Sequence, residues 1–449
     1  MRQYTKYIII IILIVISHIT AYAQDSLSYY LELAAKNNPG VKAKYLEYSA
    51  ALEKLPQVSS LPDPSVQFGY FIKPMDLMGG NQVADVRIMQ MFPWFGVLKA
   101  AKDEASKMAI SKFESFRDVK NELYFNVKAS YYTVYRTEKE ISIANENLNI
   151  LQSLEQIALV RLSTTSSASP SGNTGPVSTT ASKPGMASAG GGMGSSMGGN
   201  DKNEMVNLLR IKIEIHELEN RIALLNDQLI TDKVSFNRFL DRSPKSEVFT
   251  ADSLMEVTIP SDIITLGDSL INHPMVKMYE AEADADAAKV SMVKRMGYPT
   301  IGLGLDYMVI QKREGNISAM NGKDMTMPMV SLTLPVFRKK YKSMRHEAEL
   351  LRDAASMSAS NVKNDLTVNF QETLQKLNDA SRRILLYKDQ AMLADKSLQL
   401  LITSFSVSGA DFEEVLRMEQ QLLDYQFKKV EAVVDKNTSI ARLIYLTGN

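Results

Sequence analysis

Two stretches of about seventy residues, one beginning after Gly96 and the other running from Arg338 to Ser408, contain neither glycine nor proline. Nothing in either interrupts a helix, and at ~1.5 Å per residue each reaches on the order of 100 Å, several times the width of an ordinary globular domain. A helix that long needs a packing partner along its whole length. In the first stretch Val127, Val134, Ile141, Leu148 and Leu162 recur at heptad spacing beside a companion track of Leu123, Ser130, Thr137, Ala144, Leu151 and Ala158. This is the seam of a coiled coil. Glu155 interrupts one track and Ser130 and Thr137 dilute the other, so part of the seam is expected to be wet or narrow. Each long helix is followed by a breaker-free return segment, Lys202 to Asp241 and Asp411 to Leu446. In the second of these, Leu416, Leu423, Val430 and Ile444 form one track and Phe427, Val434 and Ala441 the other. The chain is therefore expected to contain two long helical hairpins.

The hairpins belong to a duplicated unit. Asn38-Pro39 recurs as His273-Pro274, and the seven residues from Asp63 to Gly69 recur as Tyr298 to Gly304, both at an offset of 235. A repeat of that size is far larger than a solenoid unit and makes the molecule pseudo-twofold. It divides the chain into residues 24–245 and 246–449, each reading helix, two strands, long hairpin. The leading helices span Leu27 to Leu55 and Ile263 to Met296, broken early by the Asn-Pro and His-Pro steps.

Between leading helix and hairpin, each copy holds two short runs of period two. Val66, Phe68 and Tyr70 alternate with Ser65, Gln67 and Gly69, while Ala84, Val86 and Ile88 alternate with Asp85, Arg87 and Met89. In the second copy Ile301, Leu303, Leu305, Tyr307 and Val309 alternate with Gly302, Gly304, Asp306 and Met308, and Val330, Leu332, Leu334 and Val336 with Met329, Ser331 and Thr333. Segments of roughly nine residues with one apolar and one polar face suit the wall of a transmembrane barrel. Four strands cannot close one, because both edges would leave unpaired backbone groups in lipid. A cyclic trimer would supply twelve strands and no free edge. Asp85 and Arg87, on the polar side of their strand, suit a lumen lining or a cross-strand ion pair equally.

Arg2 and Lys6 precede an apolar run from Tyr7 to Ile16, and Ala21-Tyr22-Ala23 carries small residues where a signal peptidase reads, so residues 1–23 read as a signal peptide. The apolar run is shorter than the ~20 residues a spanning helix needs. The 51 basic and 51 acidic side chains cancel, so no global field favours nucleic acid. The chain has no cysteine, which excludes disulfides, thiolate metal sites and cysteine nucleophiles and suits an oxidising compartment.

Residues 164–200 hold nine of the 22 glycines together with Ser, Thr and Pro, and are expected to be a flexible insertion at the first hairpin tip. Met186, Met193 and Met197 stand within it, and thioether sulfur is a soft ligand suited to Cu(I) or Ag(I). A bare spacer explains the same composition.

In this order, the repeated unit, the Asn38-Pro39 and His273-Pro274 openings, Gln90-Met91-Phe92-Pro93, Leu332 to Phe337, and Val407-Ser408-Gly409-Ala410-Asp411-Phe412-Glu413-Glu414-Val415-Leu416 resemble the TolC-like outer-membrane efflux proteins. The resemblance covers essentially the whole chain after residue 23. It implies a mainly α protein with a transmembrane β part: a homotrimer whose twelve-stranded outer-membrane barrel, four strands per chain, continues into a periplasmic coiled-coil barrel. It further implies an exit duct that conducts cargo from an inner-membrane RND or ABC pump and a periplasmic adaptor, embedded in outer-membrane lipid, with heavy-metal ions a candidate cargo. Phe405, Val407 and Gly409 match the family's adaptor-docking tip. Asp411 and Glu414 match the acidic residues of the channel entrance, and Arg417 stands where some members carry a second acid. Asp411 and Glu414 also have the spacing of a helix capping box.

Catalysis finds no support in the residues. The four histidines are scattered without metal-ligand spacing, and no cofactor motif is present. Gly194-Ser195-Ser196-Met197-Gly198 meets the nucleophile-elbow pattern without its strand, helix or triad partners, as expected by accident in a Gly/Ser tract. The alternative from another class is a soluble periplasmic coiled-coil scaffold or adaptor, with the strands folded as a small β domain.

Overall fold

The computed structural model describes residues 27–167, 199–254, 270–315, 317, 319–408 and 412–448. The expected signal peptide, residues 1–23, and Met186, Met193 and Met197 fall outside them. The elements are α1 (Leu27–Asn37), α2 (Pro39–Ser59), β1 (Ser65–Leu77), β2 (Gly80–Phe92), α3 (Val97–Ser167), α4 (Gly199–Phe239), α5 (Pro274–Met296), β3 (Thr300–Gln311), β4 (Met325–Thr333), α6 (Arg338–Ser408) and α7 (Phe412–Leu446). The long helices α3 and α6 are each 71 residues. Among the described residues no helix is long and apolar enough to cross a membrane.

The recurring X-Pro steps are helix starts. Asn38 caps α2, its Oδ1 accepting from the amides of Gly40 and Val41 at 2.9 and 3.3 Å, with Pro39 at the first helical position. His273 caps α5 in the same way, its Nδ1 accepting from the Met275 amide at 3.2 Å ahead of Pro274. Proline is favoured there because its missing N–H is one that no helical carbonyl would have accepted. Helix α2 runs past the expected end at Leu55, through Pro56 to Ser59. Helix α5 begins at Pro274, at the expected break, behind a short turn at 270–272, and Ile263 lies outside the described residues.

The chain forms two compact units, and each draws on both sequence repeats. One contains residues 34–125, 259–372 and 443–449. Its sheet has the order β1-β2-β3-β4, antiparallel throughout, so β1 and β4 are the edges. All four strands are longer than their clearest alternation, except that β4 ends at Thr333 and not Val336, just ahead of Pro335. Pro74, at the register shift of β1, and Pro328, in β4, both lie on edge strands, where a missing amide costs the ladder least.

The other unit contains residues up to Leu33 with 126–258 and 373–442. It is held by one core to which α3, α4, α6 and α7 all contribute, among them Leu151, Leu154, Ile211, Leu218, Leu398, Phe405, Val415 and Leu423. The heptad tracks are its interior: Val127, Val134, Ala144, Leu151 and Ala158 are buried on α3, and Leu416, Leu423, Phe427, Val434 and Ala441 on α7. Two of the polar interruptions, Thr137 and Glu155, are partnered. Thr137 Oγ1 donates to Asp232 Oδ2 of α4 at 2.8 Å, and Glu155 pairs with Lys212 of α4 at 3.8 Å. Arg383 of α6 reaches Asp435 of α7 at 2.7 Å.

Candidate functional site

Alternation along the strands sorts the sheet into two faces, because residues directly opposite across a ladder point the same way. One face is apolar and uncovered. Val66, Phe68, Tyr70 and Ile72 of β1 stand out from it, Phe68 79% and Ile72 91% exposed, and Ile88, Leu303, Leu305, Val330 and Leu332 continue it across the other strands. Register places Val66, Ile88 and Leu305 in one row and Phe68, Val86 and Tyr307 in the next. A continuous apolar sheet face of this kind is a surface that needs a cover.

Where the strands pass into helices, aromatic residues gather beside the exposed Leu334 and Val336. Trp94 stacks on Tyr298 with ring centroids 5.4 Å apart, and Phe95 and Phe337 are exposed beside the ends of β2 and β4. Rings with an apolar body and a polar rim favour a lipid-water boundary. Single-strand alternation does not flag this cluster, since Trp94, Phe95 and Phe337 lie outside the strands.

The opposite face carries charge. Arg87 Nη2 donates to Asp306 Oδ2 at 2.9 Å, and Asp306 is only 1% exposed while Arg87 remains partly open. Asp85 lies on the same face one row away, packed over Gly69, where a β-carbon would strike its carboxylate. Arg87 is therefore half of a cross-strand ion pair as well as part of this face. Its partner comes from the other sequence repeat.

At the end of the helical unit, Phe405 is wholly buried. Its ring meets Phe412 at 5.2 Å, Arg161 lies over it at 4.9 Å, and Arg161 Nη1 donates to its carbonyl at 2.6 Å. Its side chain thus builds the core of the tip and offers no free contact surface. Val407 lies in the last turn of α6, and Gly409 and Asp411 fall outside the described residues. Glu414 and Arg417 come together, with Arg417 Nη2 2.5 and 2.6 Å from the two carboxylate oxygens one turn back. Glu413 takes Arg210 of α4 at 3.2 Å. Acids in the first turn of α7 also complement the helix dipole.

A further acid in this unit escapes the heptad pattern. Glu419 of α7 is 2% exposed, and its Oε1 has no hydrogen-bond partner. It borders a cavity of about 300 Å³ together with Leu151, Glu214, Glu217, Arg221 and Asp424. Burial pushes its carboxyl up to about 7, and the Glu214 charge pushes the same way.

No family model and no curated protein sequence matches the chain. Solved structures do. The chain is similar to CusC, described in connection with folding and transmembrane channel formation, at TM-score 0.70 and 15% identity over 94% of this chain and 92% of that one. The outer-membrane channel OprN gives 0.71 and 14% over 94% and 89%. The MtrE outer membrane channel of Neisseria gonorrhoeae, in its open state, gives 0.69 and 14% over the same shares. The chain has the fold of the TolC-like outer-membrane efflux channels.

Proposed function

We propose that the protein is the outer-membrane exit duct of an efflux or secretion assembly in a Gram-negative bacterium: a homotrimer with a twelve-stranded barrel and a helical barrel, passing cargo delivered by an inner-membrane pump and a periplasmic adaptor. The uncovered apolar face of the sheet carries this reading, since lipid covers such a face and water does not. The sheet edges agree. Four alternating strands leave β1 and β4 antiparallel, so a neighbouring copy can continue the ladder in the same sense and three copies can close it.

The duct is passive and performs no chemistry. Its selectivity lies with the pump, and its gate is a set of helix contacts at the tip that an adaptor would separate. Glu414 belongs to the entrance with its charge partly offset by Arg417, so it tunes cation passage weakly. Soft metal ions are the proposed cargo. The protein is expected in the outer-membrane fraction, released only by detergent and conducting in planar bilayers, with Glu414→Ala lowering cation preference by less than about threefold. A water-soluble monomer in the osmotic-shock fluid would overturn the duct in favour of a periplasmic scaffold, and unchanged selectivity would reduce Glu414 to its ion pair.

A further inference from the structure

The charged face of the sheet holds an unexpected stock of sulfur. Met89 and Met91 of β2, Met308 of β3, and Met325, Met327 and Met329 of β4 all fall on it by register. A barrel lumen is ordinarily polar, and methionine ordinarily fills irregular gaps in a core. These methionines are not core: Met325 and Met327 are 42% and 43% exposed.

Two of their sulfurs converge, and the methyl of a third lies beside them. Ser331 Oγ lies 3.5 Å from Met89 Sδ and 3.8 Å from Met91 Sδ, so both sulfurs turn lone pairs toward one hydroxyl. The methyl ends of Met89 and Met329 flank Gly304, 3.5 and 3.6 Å from where a β-carbon would stand. A β-carbon on Gly302 would collide with Ser331 Oγ and with Met91 Sδ, 2.6 Å away, so the two glycines leave the space into which the side chains lean. Among the described residues no group of His, Asp and Glu could hold a hard or borderline ion. What the sheet offers is neutral, polarisable sulfur.

We infer that Met89, Met91 and Met329, with Ser331, form a binding site for a soft monovalent cation of the Cu(I) or Ag(I) class on the lumen face of the sheet. Thioether sulfur is the donor such d¹⁰ ions prefer, and an uncharged donor set releases the ion more readily than a thiolate cage, as a transit site requires. The Ser331 hydroxyl keeps its proton and rotates it away, so that the ion sits between the two sulfurs with the neutral hydroxyl oxygen facing it, and no bond is broken and no electron transferred. The assignment gives the cargo class of the duct proposed above and rests on that reading for its exposure to the lumen.

Ag(I) serves as the probe because it is redox-inert in air and the chain has no cysteine to compete for it. Titrated into the detergent-solubilised full chain carrying ¹³C-methyl methionine, Ag(I) is expected to shift the methyl resonances of Met89, Met91 and Met329. Replacing these three by Leu, which conserves volume, is expected to weaken that binding at least tenfold, while Leu at Met186, Met193 and Met197 leaves it in place. No shift at these methyls, or equal affinity in the sheet variant, overturns the site. Bilayer conductance of the same preparations separates the two readings. Conductance without Ag(I) binding removes the site alone, whereas binding without conductance supports the site and removes the duct.

Discussion

Phe68→Arg is expected to abolish stable assembly in the outer membrane, whereas Met327→Arg is expected to be tolerated. Both residues lie within strands, on edge strands, and are substantially exposed in the single chain. They differ in face. Phe68 belongs to the apolar side, where a midplane Arg costs about 2–4 kcal/mol. A trimer would incur this three times, roughly 6–12 kcal/mol in all, comparable with the whole stability of many folded domains. Met327 is opposite Asp306 on the charged side, so a new guanidinium there meets a carboxylate. Heat-modifiable trimer in outer-membrane extracts reads the outcome. Equal trimer yields for the two variants would mean that neither face touches lipid.

The second large effect concerns Glu419. A buried carboxyl held near 7 binds its proton more tightly in the folded chain than in the unfolded one, where it titrates near 4.5. Its contribution is therefore fully present below pH 4.5 and is lost as pH rises through about 7. The span of about 2.5 pH units corresponds to about 3 kcal/mol. Glu419→Gln keeps the shape without the charge. At pH 8 the variant is expected to be more stable than the parent by about that amount, and at pH 4 the two should be equal. Guanidinium midpoints of the detergent-solubilised protein at the two values test this. Parallel pH profiles for parent and variant would contradict it. Glu214, Glu217, Arg221 and Asp424 face the same cavity, and Glu214→Gln should bring a smaller gain of the same sign.

The sequence made legible whatever is local and periodic. The sevenfold tracks through Val127 and Leu423 are interior positions, the alternation from Val66 to Tyr70 does separate two faces, and the Asn38 and His273 steps do open helices. Each of these depends on residues within about a turn or a strand of one another. Interactions across the duplication were not legible. Arg87 and Asp306 are 219 residues apart, and only the β2-β3 register joins them. The sulfurs of Met89 and Met91 converge on Ser331 for the same reason, with the Met329 methyl beside that of Met89, and each residue sits at a position whose parity reads as polar. Glu419 was missed because heptad tracks describe a two-helix seam and place it on a flank. In the folded unit α4 covers that flank, carrying Glu214 and Leu218 to the cavity it borders. Phe405 shows the converse: an aromatic in a matched tip motif suggests a contact surface, yet Phe412 and Arg161 enclose it.

A closed barrel requires β1 of one copy to pair with β4 of the next. The absence of native cysteine allows a direct measurement, with Gln67→Cys on β1 combined in turn with Cys at Met325, Met327 or Met329 on β4, all on one face. Because β1 and β4 are opposite edges of the four-stranded sheet, a disulfide between them joins different copies. For at least one pair, mild oxidation in intact outer membranes should yield a covalent species that stops at the trimer. Monomer alone in every pair, or a ladder continuing past three, would contradict a closed barrel of twelve strands.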